Sequence, residues 1–170
     1  MRIGLLALAM GIMLNSHVGS AAELKLGQGT KSLSGALSIT VNPVEDVHRL
    51  LLAPSFSYFA AENIELALGA RFQTDIGLET TSYFGGHLGV FGYWGMGGLF
   101  LKSGASLGFV SYLGSDGVVV LEFAVPVLLV VPLSDSVALH CGTSIEMQFR
   151  PGGGANLLIP IGLLGVQTFF

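Results

Sequence analysis

The sequence predicts an all-β fold, an eight-stranded antiparallel up-and-down transmembrane β-barrel, on three observations. The chain is 51% hydrophobic and only 11% charged, well below the charge content of an ordinary soluble domain. After the N-terminal region, no apolar run reaches the roughly 18 to 20 residues that a spanning helix needs. The nearest, residues 118–133, is Val-rich and is interrupted by Glu122 and Pro126. What recurs instead is period-two alternation in segments of strand length. Hydrocarbon cannot hydrogen-bond to the backbone, so only helices and closed barrels span it, and a chain this apolar without helix-length runs points to the barrel. A length of 170 residues allows one such domain.

The N-terminus reads as an export signal over residues 1–22. Arg2 supplies the positive region, Ile3 to Leu14 the apolar core, and Gly19-Ser20-Ala21-Ala22 the small-residue cleavage site. Twelve or so apolar residues are too few to span a bilayer. The signal contains no Cys, and Cys141 is the chain's single cysteine, so neither a lipoprotein anchor nor a disulfide framework is expected. Of 7 Lys and Arg against 11 Asp and Glu, removal of Arg2 leaves six against eleven. That acidic balance gives no support to nucleic-acid binding.

Residues 23–32 read as a short polar lead-in on the periplasmic side, and residues 33–170 as the barrel. Strand one, 33–41, sends Leu33, Gly35, Leu37, Ile39 and Val41 outward. Strand two, 49–59, does the same with Leu50, Leu52, Pro54, Phe56 and Tyr58. Strand three, 64–74, alternates most cleanly, with Ile64, Leu66, Leu68, Ala70 and Phe72 out and Glu65, Ala67, Gly69, Arg71 and Gln73 in. Strand four, 81–93, is Gly-rich. Strand five, 99–112, places Leu101, Ala105, Leu107 and Phe109 out and Lys102, Gly104, Ser106 and Gly108 in. Strand six, 118–131, turns Glu122 inward in an otherwise apolar inner row of Val118, Val120, Ala124 and Leu128. Strand seven, 136–149, points His140, Gly142, Ser144, Glu146 and Gln148 inward and Cys141 outward. Strand eight is 157–170, LLIPIGLLGVQTFF, with Phe170, Thr168, Val166 and Leu164 on one face and Phe169, Gln167, Gly165 and Leu163 on the other.

Eight strands of 9 to 14 residues are long enough to cross a bilayer. Turns are expected at 60–63, 94–98 and 132–135 on the periplasmic side. Outer loops are expected at 42–48, 75–80, 113–117 and 150–156. Aromatics near strand ends, including Tyr58, Phe59, Trp94, Phe100, Phe109, Tyr112 and Phe170, are read as two interfacial girdles. The outer loops carry Glu45, Asp46, Asp75, Glu79 and Asp116, read as a solvated acidic rim.

Two stretches carry a family resemblance. The hairpin APSFSYFAAENIELALGARF ends one strand on Tyr-Phe, turns through a short acidic-Asn link and restarts as an alternating apolar strand. In this it resembles the small barrels of the outer-membrane protein A, OmpX and OmpW kind. VPVLLVVPLSDSVALHCG echoes it loosely in the second half. The chain also ends on Phe170, which resembles the terminal strand of Gram-negative outer-membrane barrels, whose final Phe is read by the barrel assembly machinery. The resemblance implies an outer-membrane location, lipid and lipopolysaccharide as surroundings, and a monomer. It departs from outer-membrane protein A in lacking a peptidoglycan-binding domain, and from OmpX-type adhesins in its short outer loops.

The inward ionisable set is Glu65, Arg71, His87, Lys102, Glu122, His140 and Glu146. Charges in apolar surroundings must pair, and an eight-stranded barrel is just wide enough for its side chains to fill it. The expectation is a packed polar network, with a gated path, in which Arg71 and Lys102 exchange partners among Glu65, Glu122 and Glu146, as the alternative. His140, Ser144 and Glu146 share one face, but positions i and i+4 on a strand lie about 13 Å apart, too far for a Ser–His hydrogen bond. No catalytic residue, cofactor or metal is therefore assigned. The Gly-rich stretches lack the Lys-Ser or Lys-Thr of a phosphate loop. The function expected is a non-enzymatic envelope barrel contributing to membrane integrity, with a small porin-like channel for ions or apolar solutes second and a lipid-modifying enzyme third.

Overall fold

The computed structural model describes Leu24 and residues 26–42, 47–77, 80–113 and 118–170. The export signal and Glu45, Asp46, Glu79 and Asp116 of the acidic rim lie outside them. The described elements are all strands: β1 (Lys31–Asn42), β2 (Val47–Ala61), β3 (Ile64–Ile76), β4 (Thr81–Met96), β5 (Leu99–Leu113), β6 (Val119–Ser134), β7 (Val137–Phe149), β8 (Ala155–Leu158) and β9 (Ile161–Phe169).

Each strand pairs antiparallel with its sequence neighbour, and β9 pairs with both β7 and β1, closing the sheet. Segments β8 and β9 together form the eighth wall strand, so the fold is a closed eight-stranded antiparallel barrel. The register fixes its stagger. From Ser34 the rungs run through Ser55, Gly69, His87, Gly108 and Glu122 to Gln148. The other way round they run through Gln167 to Ala138. The two routes reach β7 ten residues apart, and this offset tilts the strands and sets the bore.

Alternation sorts side chains to the two faces. Leu68, Leu88, Leu107, Leu121 and Leu164 stand exposed on the outer face, while Leu51, Ala67, Val110, Val120 and Leu128 are buried inside. Val118, expected in the inner row, precedes β6 and is exposed.

Three expectations are corrected. The turns at one end are two residues long because the strands run further than their hydrophobic pattern. Gly97 and Gly98 both take positive φ, as a tight I′-type hairpin turn requires, and Trp94 therefore lies within β4. Glu62-Asn63 and Asp135-Ser136 close the other two, each beside a bulge. The final strand is broken at Ile159-Pro160. Proline has no N–H for the ladder, and Gly162 turns at φ 87°. The break is tied down, since Thr143 Oγ1 and Ser144 N both donate to the Pro160 carbonyl. Finally, the lead-in is not simply polar. Leu24 and Leu26 are buried against Phe59, Tyr93, Val130, Ala138 and Phe169, closing the turn end of the bore. Asn63 N–H to the Leu26 carbonyl and Gly29 N–H to the Phe59 carbonyl hold the segment there.

Gly104 sits where a Cβ would collide with the Val90 carbonyl oxygen and press on the Phe91 backbone. Gly104→Val should cost about 1–3 kcal/mol by overpacking the β4–β5 rung. The check is a lower urea midpoint for refolded protein, read by heat-modifiable gel mobility.

Candidate functional site

The only polar chemistry of any density among the described residues lies inside the barrel, in two layers. Period-two placement delivers it: Glu65 and Arg71 from β3, His87 and Tyr93 from β4, Lys102 from β5, Glu122 from β6, and His140 and Glu146 from β7.

The layer nearer the turn end is built on Glu65, which has no exposed surface. Lys102 Nζ stands 2.6 Å from Glu65 Oε2. The Tyr93 hydroxyl donates to the same carboxylate at 2.7 Å, and Gln167 Nε2 donates at 3.0 Å to its other oxygen. Gln167 Nε2 also donates to Ser32 Oγ. The Lys102 ammonium lies over the rings of Phe91 and Tyr93, 5.0 and 5.2 Å from their centroids, which supplies attraction a bare hydrocarbon wall would not.

The second layer centres on Arg71. Its Nη1 contacts Glu122 at 2.6 Å and Glu146 at 3.5 Å, while Nη2 reaches Gln73 and Glu146. Gln148 donates to the other Glu122 oxygen, and Gln73 donates to Asp75. Beyond it, toward the loop end, a hollow of about 150 Å³ is lined by Tyr83, Tyr112, Gln148 and Arg150 among others, with Arg150 donating to the Tyr112 hydroxyl. Between the layers lies a cavity of about 160 Å³, walled by apolar residues including Leu51, Phe91, Leu128 and Leu163 and reached by Arg71, His87, His140 and Ser144.

The seven predicted inward residues thus separate into a Glu65–Lys102 layer, an Arg71–Glu122–Glu146 layer, and two histidines on the cavity between. His87 lies over Gly69 and His140 over Gly165, each imidazole occupying space that a Cβ would fill. No His140–Ser144 hydrogen bond is formed among the described residues. No group of three or more His, Cys, Asp or Glu there is arranged to hold a metal.

The girdle set divides. Tyr58, Trp94, Phe109 and Phe170 are exposed on the outer face. Phe59, Phe100 and Tyr112 are corrected. Phe59 is fully buried with its ring 5.5 Å from Tyr93. Phe100 packs against the same cluster, and Tyr112 turns into the loop-end hollow. Height along a strand placed these rings near an edge, but parity decides the face: Phe59 alternates with Tyr58, and Phe100 and Tyr112 share the parity of Lys102. Tyr93, Ser32 and Phe91 were not singled out from sequence. The same parity rule, run along β4 from His87, puts Phe91 and Tyr93 inside.

Fold and interior together define a small closed barrel with a polar, packed core and an apolar exterior. No known protein family matches the sequence, and no curated protein does either. Among solved structures, the chain is similar to the N-terminal β-barrel domain of Pseudomonas aeruginosa OprF, with a TM-score of 0.54 at 16% identity, covering 85% of this chain and 99% of that one. The likeness is one of fold, that of a small closed β-barrel.

Removing the cation of the inner layer tests its coupling. Lys102→Met leaves the Glu65 carboxylate buried and unpaired and should destabilise by about 3–5 kcal/mol. Lys102→Met with Glu65→Gln should recover most of that loss. Urea unfolding of the two single variants and the double variant closes the cycle.

Proposed function

We propose that this chain is an integral outer-membrane protein whose filled barrel contributes to envelope structure rather than forming a pore. The observation that carries the reading is the inversion of an ordinary fold. Leucines stand exposed around the outside, Leu68 at 60% and Leu107 at 67%, while Glu65, Lys102, Glu122 and Glu146 are buried within. Apolar-out, polar-in alternation on closed strands is the arrangement that hydrocarbon demands. Export through a signal over residues 1–22 is part of this proposal.

Filling of the bore favours a structural role. The apolar cap of Leu24 and Leu26, the Glu65 layer and the Arg71 layer occupy an eight-stranded bore just wide enough for its own side chains, which opposes the passage of ions. One observation favours the second reading, a small conduit. Arg71 has two carboxylates within reach, at 2.6 and 3.5 Å, so its guanidinium could exchange partners without leaving the layer.

Planar-bilayer recording separates the two. Refolded protein that shows heat-modifiable mobility should be electrically silent. Steady, discrete conductance that is altered in Arg71→Ala or Glu122→Ala would overturn the filled-barrel reading and make the chain a channel.

A further inference from the structure

The outer face of the wall carries a groove of about 610 Å³, within the roughly 300–1,000 Å³ range of ligand sites. It runs between two rows of outward side chains. One row goes from Tyr58 through Leu66 and Val90 to Ala105, strand by strand from β2 to β5. The other goes from Phe56 to Phe123 and reaches β6. Ala67, Gly89 and Ser106, which lie between the rows and face inward, floor the groove with their backbones. Rows two residues apart on each strand stand about 7 Å from one another, and four steps from strand to strand span roughly 19 Å. Tyr58 lies close to the turn end of β2, whereas Phe123 lies in the loop-end half of β6. The groove therefore climbs the barrel from the turn end toward the loop end. A long, narrow apolar slot of this kind fits an extended hydrocarbon chain better than a compact molecule.

A charge stands at its lower end. Lys31 is the cross-strand partner of Tyr58, and such partners hold their Cβ atoms about 4.5–5.5 Å apart. Ser32 is buried and Leu33 exposed, so parity turns Lys31 outward beside the Tyr58 ring, where it is exposed. Among the described Lys and Arg side chains it alone points to the outer face, since Arg71 and Lys102 line the bore and Arg150 the loop-end hollow. Its ammonium has no carboxylate partner among the described residues. Backbone hydrogen bonds with Phe170 in both directions, each 2.9 Å, fix its place on the wall.

We propose that Lys31 and the groove form a site for one anionic glycerophospholipid. An acyl chain lies in the groove, and the headgroup phosphate pairs with the Lys31 ammonium at the level that the Tyr58 ring marks as the interface. Charge decides the class of lipid. A neutral hydrocarbon leaves the cation unmatched, and a zwitterionic headgroup brings an ammonium of its own against it. A soluble anion makes no use of the groove. The site rests on the outer-membrane reading, because lipid surroundings are what present an acyl chain to this face.

The test is native mass spectrometry of the refolded, delipidated chain in a neutral detergent. It is titrated with dipalmitoyl phosphatidylglycerol and with dipalmitoyl phosphatidylcholine, which has the same acyl chains. Heat-modifiable mobility verifies that each sample is folded. The first phosphatidylglycerol should bind about fivefold tighter than the first phosphatidylcholine, the size expected of one lysine beside an anionic headgroup. Lys31→Gln should remove that preference, and Lys31→Arg should retain it. Ala105→Phe, which fills the groove from its side, should weaken both lipids at least threefold. Equal affinities in the unaltered chain, or a preference that survives Lys31→Gln, overturn the proposal. So does Ala105→Phe without effect. Failure of the outer-membrane reading shows differently, as a chain that does not insert into vesicles of either lipid.

Discussion

Glu65 has no exposed surface, and the inside of this barrel is arranged around neutralising it. A carboxylate removed from water loses several kcal/mol of solvation, and one partner seldom restores that. Here four groups from four strands converge: Lys102 from β5, Tyr93 from β4, Gln167 from β9 and, through Gln167, Ser32 from β1. Because the strands that supply them are distributed round the barrel, these bonds fasten the wall across its bore. The charge cluster thus also specifies closure and register, since a slip of one residue on any of those strands would turn its member to the outer face.

The same parity makes the fold legible in the sequence and accounts for the aromatic rings that the sequence reading sets on the wrong face. Leu66 and Leu68 flanking Ala67, or Leu50 and Leu52 flanking Leu51, reveal faces by alternation alone. Seven inward ionisable residues follow from that pattern without any knowledge of tertiary structure. Phe59 and Phe100 were misplaced because closeness to a strand end was weighed above parity, although only parity decides which side of a sheet a ring occupies. What alternation cannot express is which inward residues lie at one height. Glu65 and Gln167 are 102 positions apart in sequence, and their meeting depends on closure of the sheet with its ten-residue stagger. That quantity is a property of the whole ring of rungs and appears in no single segment.

The lead-in and the last strand were hidden for different reasons. Leu24 and Leu26 sit among polar neighbours in a stretch with too few residues to show a period, and they are apolar because the end of a bore must be covered. The broken last strand was visible as Pro160, yet a proline near a strand terminus is compatible with an intact edge. Only the pairing shows that β9 binds β1 while β8 does not.

Beyond Leu37, β1 has β2 but not β9 as a partner. Backbone groups cannot face hydrocarbon without partners, so the proposed membrane placement requires the edge of β1 beyond Leu37, which has no β9 partner, to lie level with headgroups or water. The paired belt below it, from Leu33 and Leu37 across to Leu164 and Val166, is continuous and exposed, and suits the hydrocarbon core. Under the proposed membrane reading, placing the belt there lifts the segment of β1 without a β9 partner toward the end of the barrel that carries the longer loops.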